Sequence, residues 1–249
     1  MRSLRRLLGL AWALAGLGWV ATLARADLAA DLARIATEAA GGSQAQAALA
    51  SWRAVGVTRI GDQEVPFILY AARPRSVRIE TLGETGSLVR AFDGVHAPWK
   101  KTDARRPPER LGREEERLFV QEAEFDSPLF NYEQRRISLD YAGEAVLGGV
   151  TYQSLLATLN FTEVTTLYLD DATHRLTRRE ARRRVGGREV KMVTFYEDFR
   201  TVAGVLLPHR IRVEVEGRVL HESVIKNYDA NPTLPEDFFA PPDKDWPKY

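Results

Sequence analysis

The chain of 249 residues contains no cysteine. A disulfide framework, a zinc–thiolate site, an iron–sulfur cluster and a catalytic thiol are excluded, because each of them needs a cysteine sulfur. Lipidation of an N-terminal cysteine is excluded for the same reason. The absence of cysteine fits an oxidising compartment, although it does not demand one.

An excess of charge is also missing. The chain has 35 basic and 34 acidic residues and a formal net charge of +1. Four arginines and no acidic residue lie in the first 26 positions, so the other 223 residues have 31 basic and 34 acidic side chains, a net charge of −3. A broad nucleic-acid-binding surface needs clustered positive charge, and this composition argues against one.

Long apolar runs are absent outside the N-terminal segment. Residues 1–26 begin with basic side chains, continue through the uncharged run Leu7–Ala24, and place small residues, Ala24 and Ala26, where signal peptidase reads them. This order predicts a secretory signal peptide that is cleaved before Asp27. The alternative is an uncleaved membrane anchor, but 18 residues are close to the minimum for crossing a bilayer. The protein is therefore predicted to be periplasmic.

The mature chain, residues 27–249, is predicted to form a single domain, because no low-complexity linker or clean repeat divides it. Asp27–Ala40 has the apolar spacing of a helix, and a second short helical stripe follows Gly41-Gly42. From Arg53 the period becomes twofold, with turn residues between short runs, which is typical of antiparallel hairpins. These runs are Ala54–Ile60, Val65–Ala72, Ser76–Leu82, Ser87–Phe92, Ile137–Tyr141, Glu144–Leu147, Tyr152–Phe161, Val164–Leu169, Leu176–Val185, Glu189–Phe199, Leu206–Val215 and Val219–Tyr228.

The remaining segments are read from charge and proline content. Lys100–Glu116 is charged and contains two prolines, so it is predicted to be an exposed loop. Glu114–Phe125 has a helical composition, and the proline-rich tail Asn231–Tyr249 is expected to lie along the surface. Helices do not alternate with strands, which excludes a parallel βαβ sheet. One antiparallel meander of about 11 or 12 strands remains, and such a sheet is expected to curl on itself.

Motifs for catalysis or metal binding are missing. There is no Gly-x-Ser-x-Gly elbow and no glycine-rich phosphate loop. The histidines lack the spacing of a helical metal site; they are His96, His174, His209 and His221. No catalytic residue, metal or cofactor is predicted. The charge run Arg182-Arg183-Arg184 is read as a solvated face, with docking of an anionic partner as the alternative.

Aromatic side chains are plentiful. Trp52, Trp99 and Trp246 lie beyond the predicted signal peptide, and the chain has ten phenylalanines and eight tyrosines. A curled sheet has an interior, which is either packed with side chains or left as an apolar cavity that accepts acyl chains. Composition alone leaves both alternatives open.

Several local patterns occur in a recognisable order. They are Arg73-Pro74 before Val77–Glu80, Phe92-Asp93-Gly94 before Trp99, Asp126–Tyr132, Tyr168-Leu169-Asp170, Tyr196–Phe199, Gly204–Pro208 and Phe238–Pro242. Together they resemble the LolA/LolB-like superfamily, the periplasmic lipoprotein carriers of Gram-negative bacteria. The likeness is greatest to the outer-membrane lipoprotein-sorting proteins.

The resemblance implies an α+β fold in which a large curved antiparallel sheet, of about 11 strands, forms an incomplete β-barrel with helices covering the open side. It implies a non-enzymatic periplasmic carrier, with no cofactor, that shields acyl chains of lipoproteins or lipids for transfer towards the outer membrane. Its partners would be an inner-membrane donor complex and an outer-membrane acceptor, and the carrier would be a monomer that does not bind nucleic acid.

The resemblance also assigns roles to residues. Arg73 corresponds to the lid-locking arginine of the carrier, whose guanidinium donors can hold carbonyl groups of a lid helix. Ligand-binding residues are expected on the inward faces of the strands and on the helix that covers them. They are Trp52, Phe67, Leu69, Ile79, Leu88, Phe92, Trp99, Leu118, Phe119, Leu155 and Leu167.

Two other functions remain as alternatives. The chain is longer than a typical carrier, mainly in Lys100–Glu116 and the later strands, and the same fold serves as a periplasmic sensor or protein-interaction module with no transported cargo. The lack of a cysteine to acylate favours a soluble carrier over the membrane-anchored receptor. A hydrolase whose Asp, Glu and His residues meet through folding is the third alternative, and no motif supports it.

Overall fold

The computed structural model describes residues 28–83, 86–103, 105–159, 163–243 and 245–249. The predicted signal peptide lies outside these ranges. Within them, no helix has both the length and the apolar character needed to cross a membrane.

All named strands of the described residues belong to one antiparallel sheet of 13 strands. Three helices accompany it: α1, described over 28–39, α2 (Gly42–Ala48) and α3 (Arg113–Glu122). The strands are β1 (Ser51–Ile60), β2 (Gln63–Ala72), β3 (Ser76–Gly83), β4 (Gly86–Phe92), β5 (Trp99–Lys101), β6 (Glu109–Arg110), β7 (Ser138–Leu147), β8 (Val150–Leu159), β9 (Glu163–Asp170), β10 (Leu176–Val185), β11 (Arg188–Val202), β12 (Val205–Val215) and β13 (Arg218–Ala230).

The order of the strands explains why the sheet stays open. It runs β6-β5-β4-β3-β2-β1-β13-β12-β11-β10-β9-β8-β7, so the first and last strands pair in the middle of the sheet. The outer edges are β6 and β7, which are consecutive in the chain, and α3 lies in the connection between them. The chain therefore crosses the open side of a curled sheet. The predicted α+β incomplete barrel with helices on its open side is confirmed.

The strand count exceeds the prediction because of the segment Lys100–Glu116. Its two ends are not exposed loop: β5 and β6 pair through Trp99 and Arg110, and Leu111 is only 3% exposed. Short charged strands of this kind have too few residues to show an alternating pattern. In the opposite direction, β7 is one strand where two were predicted, because a bulge at Tyr141/Gly143 carries the pairing with β8 through the apparent break.

The first helix packs on the inner face of β7–β9. Small residues on one side of α1, among them Ala29 and Ala33, bring it close to Leu155 and Leu167, which are 0% exposed. Leu28, at the start of the described part of α1, is 40% exposed and lies outside this packed face. Alanines allow this close approach because they place no bulk between the helix and the sheet.

The junction between α1 and α2 touches the β11–β12 turn. Gly41 has a φ of +113°, and a Cβ atom there would lie 2.1 Å from the carbonyl oxygen of Gly204. The backbone N–H of Leu206 donates to the Ala40 carbonyl at 2.9 Å. A side chain at Gly41 would break this contact, so glycine is required here on both conformational and steric grounds.

The tail lies along the outer face of β3–β5. The indole N–H of Trp99 donates to the Phe239 carbonyl at 3.2 Å, and that of Trp246 donates to the Ala97 carbonyl at 2.8 Å. Arg78 donates to the Phe238 carbonyl at 3.2 Å. The tail therefore covers the outside of the sheet, while the helices cover its inside.

Candidate functional site

The candidate site is the space between the sheet and α3. Contacts on both sides of α3 hold this helix in place. Towards β6, Arg110 donates to Glu116 at 2.9 Å. Towards the β10–β11 turn, the backbone N–H of Gly186 donates to Glu114 at 2.7 Å. The helix thus bridges two parts of the sheet that lie far apart in strand order.

One wall of this space is mostly apolar, and Arg90 of β4 lies on it with its guanidinium 5.6 Å from the ring centroid of Phe119. Strand alternation places six of the predicted ligand-binding residues on the inner face of β1–β4: Trp52, Phe67, Leu69, Ile79, Leu88 and Phe92. We call these six residues the apolar wall. From α3, Phe119 packs into the cluster around Phe92, and Leu118 is half-buried on the same helix. The observed helix, Arg113–Glu122, agrees with the predicted one except at its last residues.

The apolar wall has no room for a side chain at Gly56. Gly56 of β1 faces Phe67, and a Cβ atom at Gly56 would lie 2.8 Å from the phenyl ring and 2.4 Å from the Val224 carbonyl oxygen. The glycine therefore leaves the space that the ring of Phe67 occupies.

Arg73, the residue that follows β2, forms hydrogen bonds with two other parts of the chain. Its guanidinium donates to the Gln46 and Ala47 carbonyls of α2, at 2.5 and 3.0 Å. It also donates to both carboxylate oxygens of Asp126, at 2.7 to 3.0 Å. Carbonyls in the last turn of a helix have no partner within the helix, so a cation suits this position. We call this set of contacts the Arg73 bridge.

Aromatic rings connect the Arg73 bridge to the apolar wall. The guanidinium lies over the rings of Phe125 and Phe130, 5.0 and 5.4 Å from their centroids. Phe125 in turn lies 6.1 Å from the ring of Trp52. Any movement of the segment after α3 would therefore disturb both the cation–π contacts and the edge of the wall.

The opposite wall is charged. Glu163 of β9 and Arg179 and Arg183 of β10, which we call the charged wall, face α3. The Arg183 side chain is 2% exposed and lies 2.5 Å from Glu163, and Arg179 lies 3.7 Å from Glu163. Glu122, the last residue of α3, lies 3.7 Å from Arg183 and 4.0 Å from Arg179. The helix thus adds a second carboxylate to a pair of buried guanidinium groups.

The prediction of a solvated face for Arg182-Arg183-Arg184 is wrong for its middle residue. Successive side chains of a strand point to opposite faces, so Arg183 points inward with Arg179 and Ala181 while its two neighbours point to solvent. The sequence pattern that could have identified Arg183 is this i, i+2, i+4 spacing. A run of three identical charges conceals it.

The charged wall also shifts the pKa values of its neighbours. Burial acts to lower the pKa of Arg179, but the charge of Glu122, followed by Tyr196 and Glu163, raises it above its ordinary value. Burial raises the pKa of Tyr196. Burial lowers the pKa of His221, and Glu122 partly opposes this shift. Glu122 therefore acts electrostatically on several groups beneath α3.

The described side chains leave little room at the charged wall. The cavity between Glu122 of α3 and the inner faces of β10 and β11 measures about 10 Å³, enough for about one water molecule. A wider groove of about 270 Å³ lies between α1 and residues 129–134. An acyl chain could not enter the smaller space unless α3 moved.

Comparison with known proteins gives a match in structure alone. No family model and no curated protein matches the sequence. A putative outer-membrane lipoprotein-sorting domain from Vibrio parahaemolyticus superimposes with a TM-score of 0.60 at 10% identity, covering 86% of this chain and 97% of that one. A LolA superfamily protein from Nitrosomonas europaea gives a TM-score of 0.56 at 15% identity, covering 85% and 96% of the two chains.

The chain has the LolA-like fold. A protein of the DUF1329 family from Desulfovibrio piger shares it, with a TM-score of 0.57 at 15% identity and coverage of 86% and 97%. At these identities, the comparisons establish the fold and leave the ligand to be argued from the site.

Within the LolA-like fold, three predicted ligand-binding residues lie away from the apolar wall. Leu155 and Leu167 belong to the separate cluster under α1. Trp99 faces outward, because it pairs with Ala91, the neighbour of the inward-facing Phe92. Its ring lies under the tail with the Arg78 guanidinium 5.8 Å from its centroid. Of the other eight, Leu69, Ile79, Phe92 and Phe119 pack in one cluster, and Trp52 and Phe67 pack with Leu69 in a second. Leu88 of β4 and Leu118 of α3 are half-buried.

The histidines of this chain lie in separate parts of the fold. His209 is buried, with its Nδ1 atom 3.0 Å from the Ile225 carbonyl oxygen. His96 contacts Asp93 at 2.6 Å in the turn after β4. Among the described residues, no group of three or more His, Asp and Glu side chains is placed to hold a metal ion.

Proposed function

We propose that the protein is a non-enzymatic periplasmic carrier that shields acyl chains of lipoproteins or lipids between α3 and the apolar wall. The observation that supports this proposal best is that part of the apolar wall packs against α3, and that the Arg73 bridge ties the segment after α3 to α2. The periplasmic location is supported by the signal-like pattern of residues 1–26. An inner-membrane donor and an outer-membrane acceptor are the partners that this function requires.

The physical argument for a carrier is the cost of exposing acyl chains to water. Each methylene that leaves water contributes about 0.8 kcal/mol, so one chain of ordinary length supplies about 10 kcal/mol before ordering costs. Displacing α3 also gives up the apolar contacts of Phe119 and Val120 with the wall, which the acyl chain replaces. The cost that remains is that of breaking the few polar contacts that hold α3 and the Arg73 bridge. Lipid entry can therefore drive the displacement of the helix.

Lipid content tests this proposal directly. The full chain is expressed in a bacterium that exports it, purified without detergent, and analysed by native mass spectrometry with extraction of released lipids. We expect an acylated molecule in about one-to-one ratio, and its loss in Leu69→Gln, because the amide removes apolar contact from the wall. The matched control is Val146→Gln on the exposed side of β7. A folded Leu69→Gln variant with the lipid content of the wild type would contradict the proposal.

One observation favours the alternative of a periplasmic sensor or protein-interaction module without cargo. The cavity at the charged wall is almost filled in this conformation. Titration with a fluorescent fatty acid distinguishes the two functions. Saturable uptake at a one-to-one ratio supports the carrier, whereas an absence of uptake together with an empty purified protein supports the interaction module.

A further inference from the structure

The charges beneath α3 balance only while the helix is in place. Arg179 and Arg183 face two carboxylates, of which Glu163 belongs to the sheet and Glu122 to α3. If α3 moves away to admit a ligand, Glu122 leaves with it. Two guanidinium groups then remain on the wall with one carboxylate, which leaves an excess positive charge in a largely buried place.

The contacts of Glu122 are the weaker ones. Its distances of 3.7 and 4.0 Å to the two arginines exceed hydrogen-bond length, and its side chain is 55% exposed. Arg183, in contrast, is almost fully buried, and its Nε atom has no hydrogen-bond partner among the described residues. A buried guanidinium with an unused donor favours a closer anion than Glu122 provides.

We propose that the charged wall binds the anionic head group of an acyl lipid, a carboxylate or a phosphate, while the acyl chain lies against the apolar wall. This inference rests on the proposed carrier function. Glu122 occupies the place of the head group in the closed form and leaves it when α3 moves. Guanidinium groups suit this role because their donors match the paired oxygens of carboxylates and phosphates.

The two walls are close enough for one ligand to reach both. Phe119 of α3 packs against the apolar wall, and Glu122, one turn later, contacts the charged wall. The walls are therefore separated by about the width of one helix, about 10 Å. An acyl lipid that replaced α3 would have its chain on one side of the opening and its head group on the other.

The test compares an anionic probe with its uncharged twin. cis-Parinaric acid and its methyl ester are titrated into the purified full chain and followed by fluorescence. We expect the acid to bind about tenfold more tightly than the ester, as for one charge-assisted contact. Glu122→Gln should tighten binding of both probes about threefold or more, because opening no longer separates a carboxylate from the two arginines, and it should keep the preference for the acid. Arg183→Met should abolish the preference.

Arg182→Gln is the matched control, since Arg182 is adjacent in sequence but points to solvent, and it should behave as the wild type. If Arg183→Met does not fold, the variant Arg183→Met/Glu163→Gln, which removes the pair together, takes its place. Glu122→Gln decides independently, because its side chain is half-exposed and its loss leaves Arg183 paired with Glu163.

Each other outcome overturns the inference in a distinguishable way. Equal binding of acid and ester would reject the anionic head group and leave the carrier function intact. Binding of neither would reject both. A Glu122→Gln variant with a lower unfolding midpoint and unchanged affinity for both probes would mean that Glu122 stabilises the fold and is not displaced when a ligand binds. Displacement of the acid probe by inorganic phosphate as readily as by decanoate would mean a site for a free anion.

Discussion

The two walls beneath α3 are built from the same strand pattern and filled with opposite chemistry. The apolar wall consists of aromatic and aliphatic side chains, of which Leu69, Ile79 and Phe92 pack in one cluster with Phe119. The charged wall consists of guanidinium and carboxylate groups that meet Glu122. Apolar side chains accept other apolar neighbours if the helix shifts, whereas buried charges need groups of opposite charge beside them. The charged wall should therefore decide which ligands can replace α3, and the apolar wall how strongly they bind.

The largest expected effects are losses in the free energy of unfolding, and these losses should combine differently in the two walls. Arg183→Met should lower the free energy of unfolding by about 3 kcal/mol, because it leaves Glu163 buried beside a single, more distant guanidinium. Adding Glu163→Gln should restore most of that loss. In the apolar wall, Phe92→Ala should cost about 3 to 5 kcal/mol through the cavity that it leaves, with no single charge change able to restore it. Urea unfolding followed by circular dichroism measures all three variants.

That comparison would fail if the double variant were as unstable as Arg183→Met alone. Such a result would mean that the arginine contributes by packing its aliphatic part and not through its charge. The m-value should remain constant across the series, since a change in m would indicate a different denatured or native state.

The sequence predicted the apolar wall better than the charged wall, for a physical reason. Ile79 lies between Arg78 and Glu80, so its face can be read from the chain. Arg183 sits in a run of three arginines, and its burial depends on Glu163 in the neighbouring strand and on Glu122 across the opening. Contacts between charges that are distant in sequence follow from the fold, which composition does not reveal.

The Arg73 bridge illustrates a different limit. The role of Arg73 came from the resemblance, and its contacts with α2 carbonyls match what that resemblance implies. Its partner Asp126 is 53 residues away, and the sequence analysis named it only as the start of the pattern Asp126–Tyr132. Leu155 and Leu167 show the reverse error: their apolar, inward character was correct, but the helix that covers them is α1. Periodicity gives the face of a residue and not its partner.

An intermediate loss of stability is expected at the Arg73 bridge, because the bridge connects α2 with the segment after α3. Arg73→Gln should cost about 2 kcal/mol, because Asp126 and two α2 carbonyls lose charge-assisted bonds. Arg73→Lys should restore only part of this, since an ammonium cannot bond both carboxylate oxygens in the same geometry. Hydrogen exchange should quicken in α2 and in the segment after α3.

The matched control is Arg59→Gln, which removes an exposed pair with Glu64 at the end of β1. No measurable change is expected there, because solvent screens exposed ion pairs. If Arg73→Gln left exchange in α2 unchanged, the bridge would not hold the helices, and opening would have to be controlled by the contacts of α3 alone.

The smallest effect concerns His221, whose pKa depends on its burial and on the charge of Glu122 in α3. Burial lowers that pKa in the folded protein. Stability from this source is complete above the ordinary histidine pKa of about 6.5 and is lost as the pH falls through that value towards the lower folded pKa, because the unfolded state takes up the proton first. His221→Gln should therefore flatten the pH dependence of unfolding on the acidic side of neutrality.

The same histidine can report the position of α3 without a ligand fluorophore. Glu122 raises the pKa of His221, so Glu122→Gln should lower it further in an NMR titration of the closed protein. Binding of an uncharged acyl ester should act in the same direction, because Glu122 leaves with α3, whereas the head group of an anionic lipid should restore the negative charge and oppose the fall. A His221 pKa that does not change when the ester binds would mean that α3 stays closed over the charged wall, and the ligand would then have to lie elsewhere.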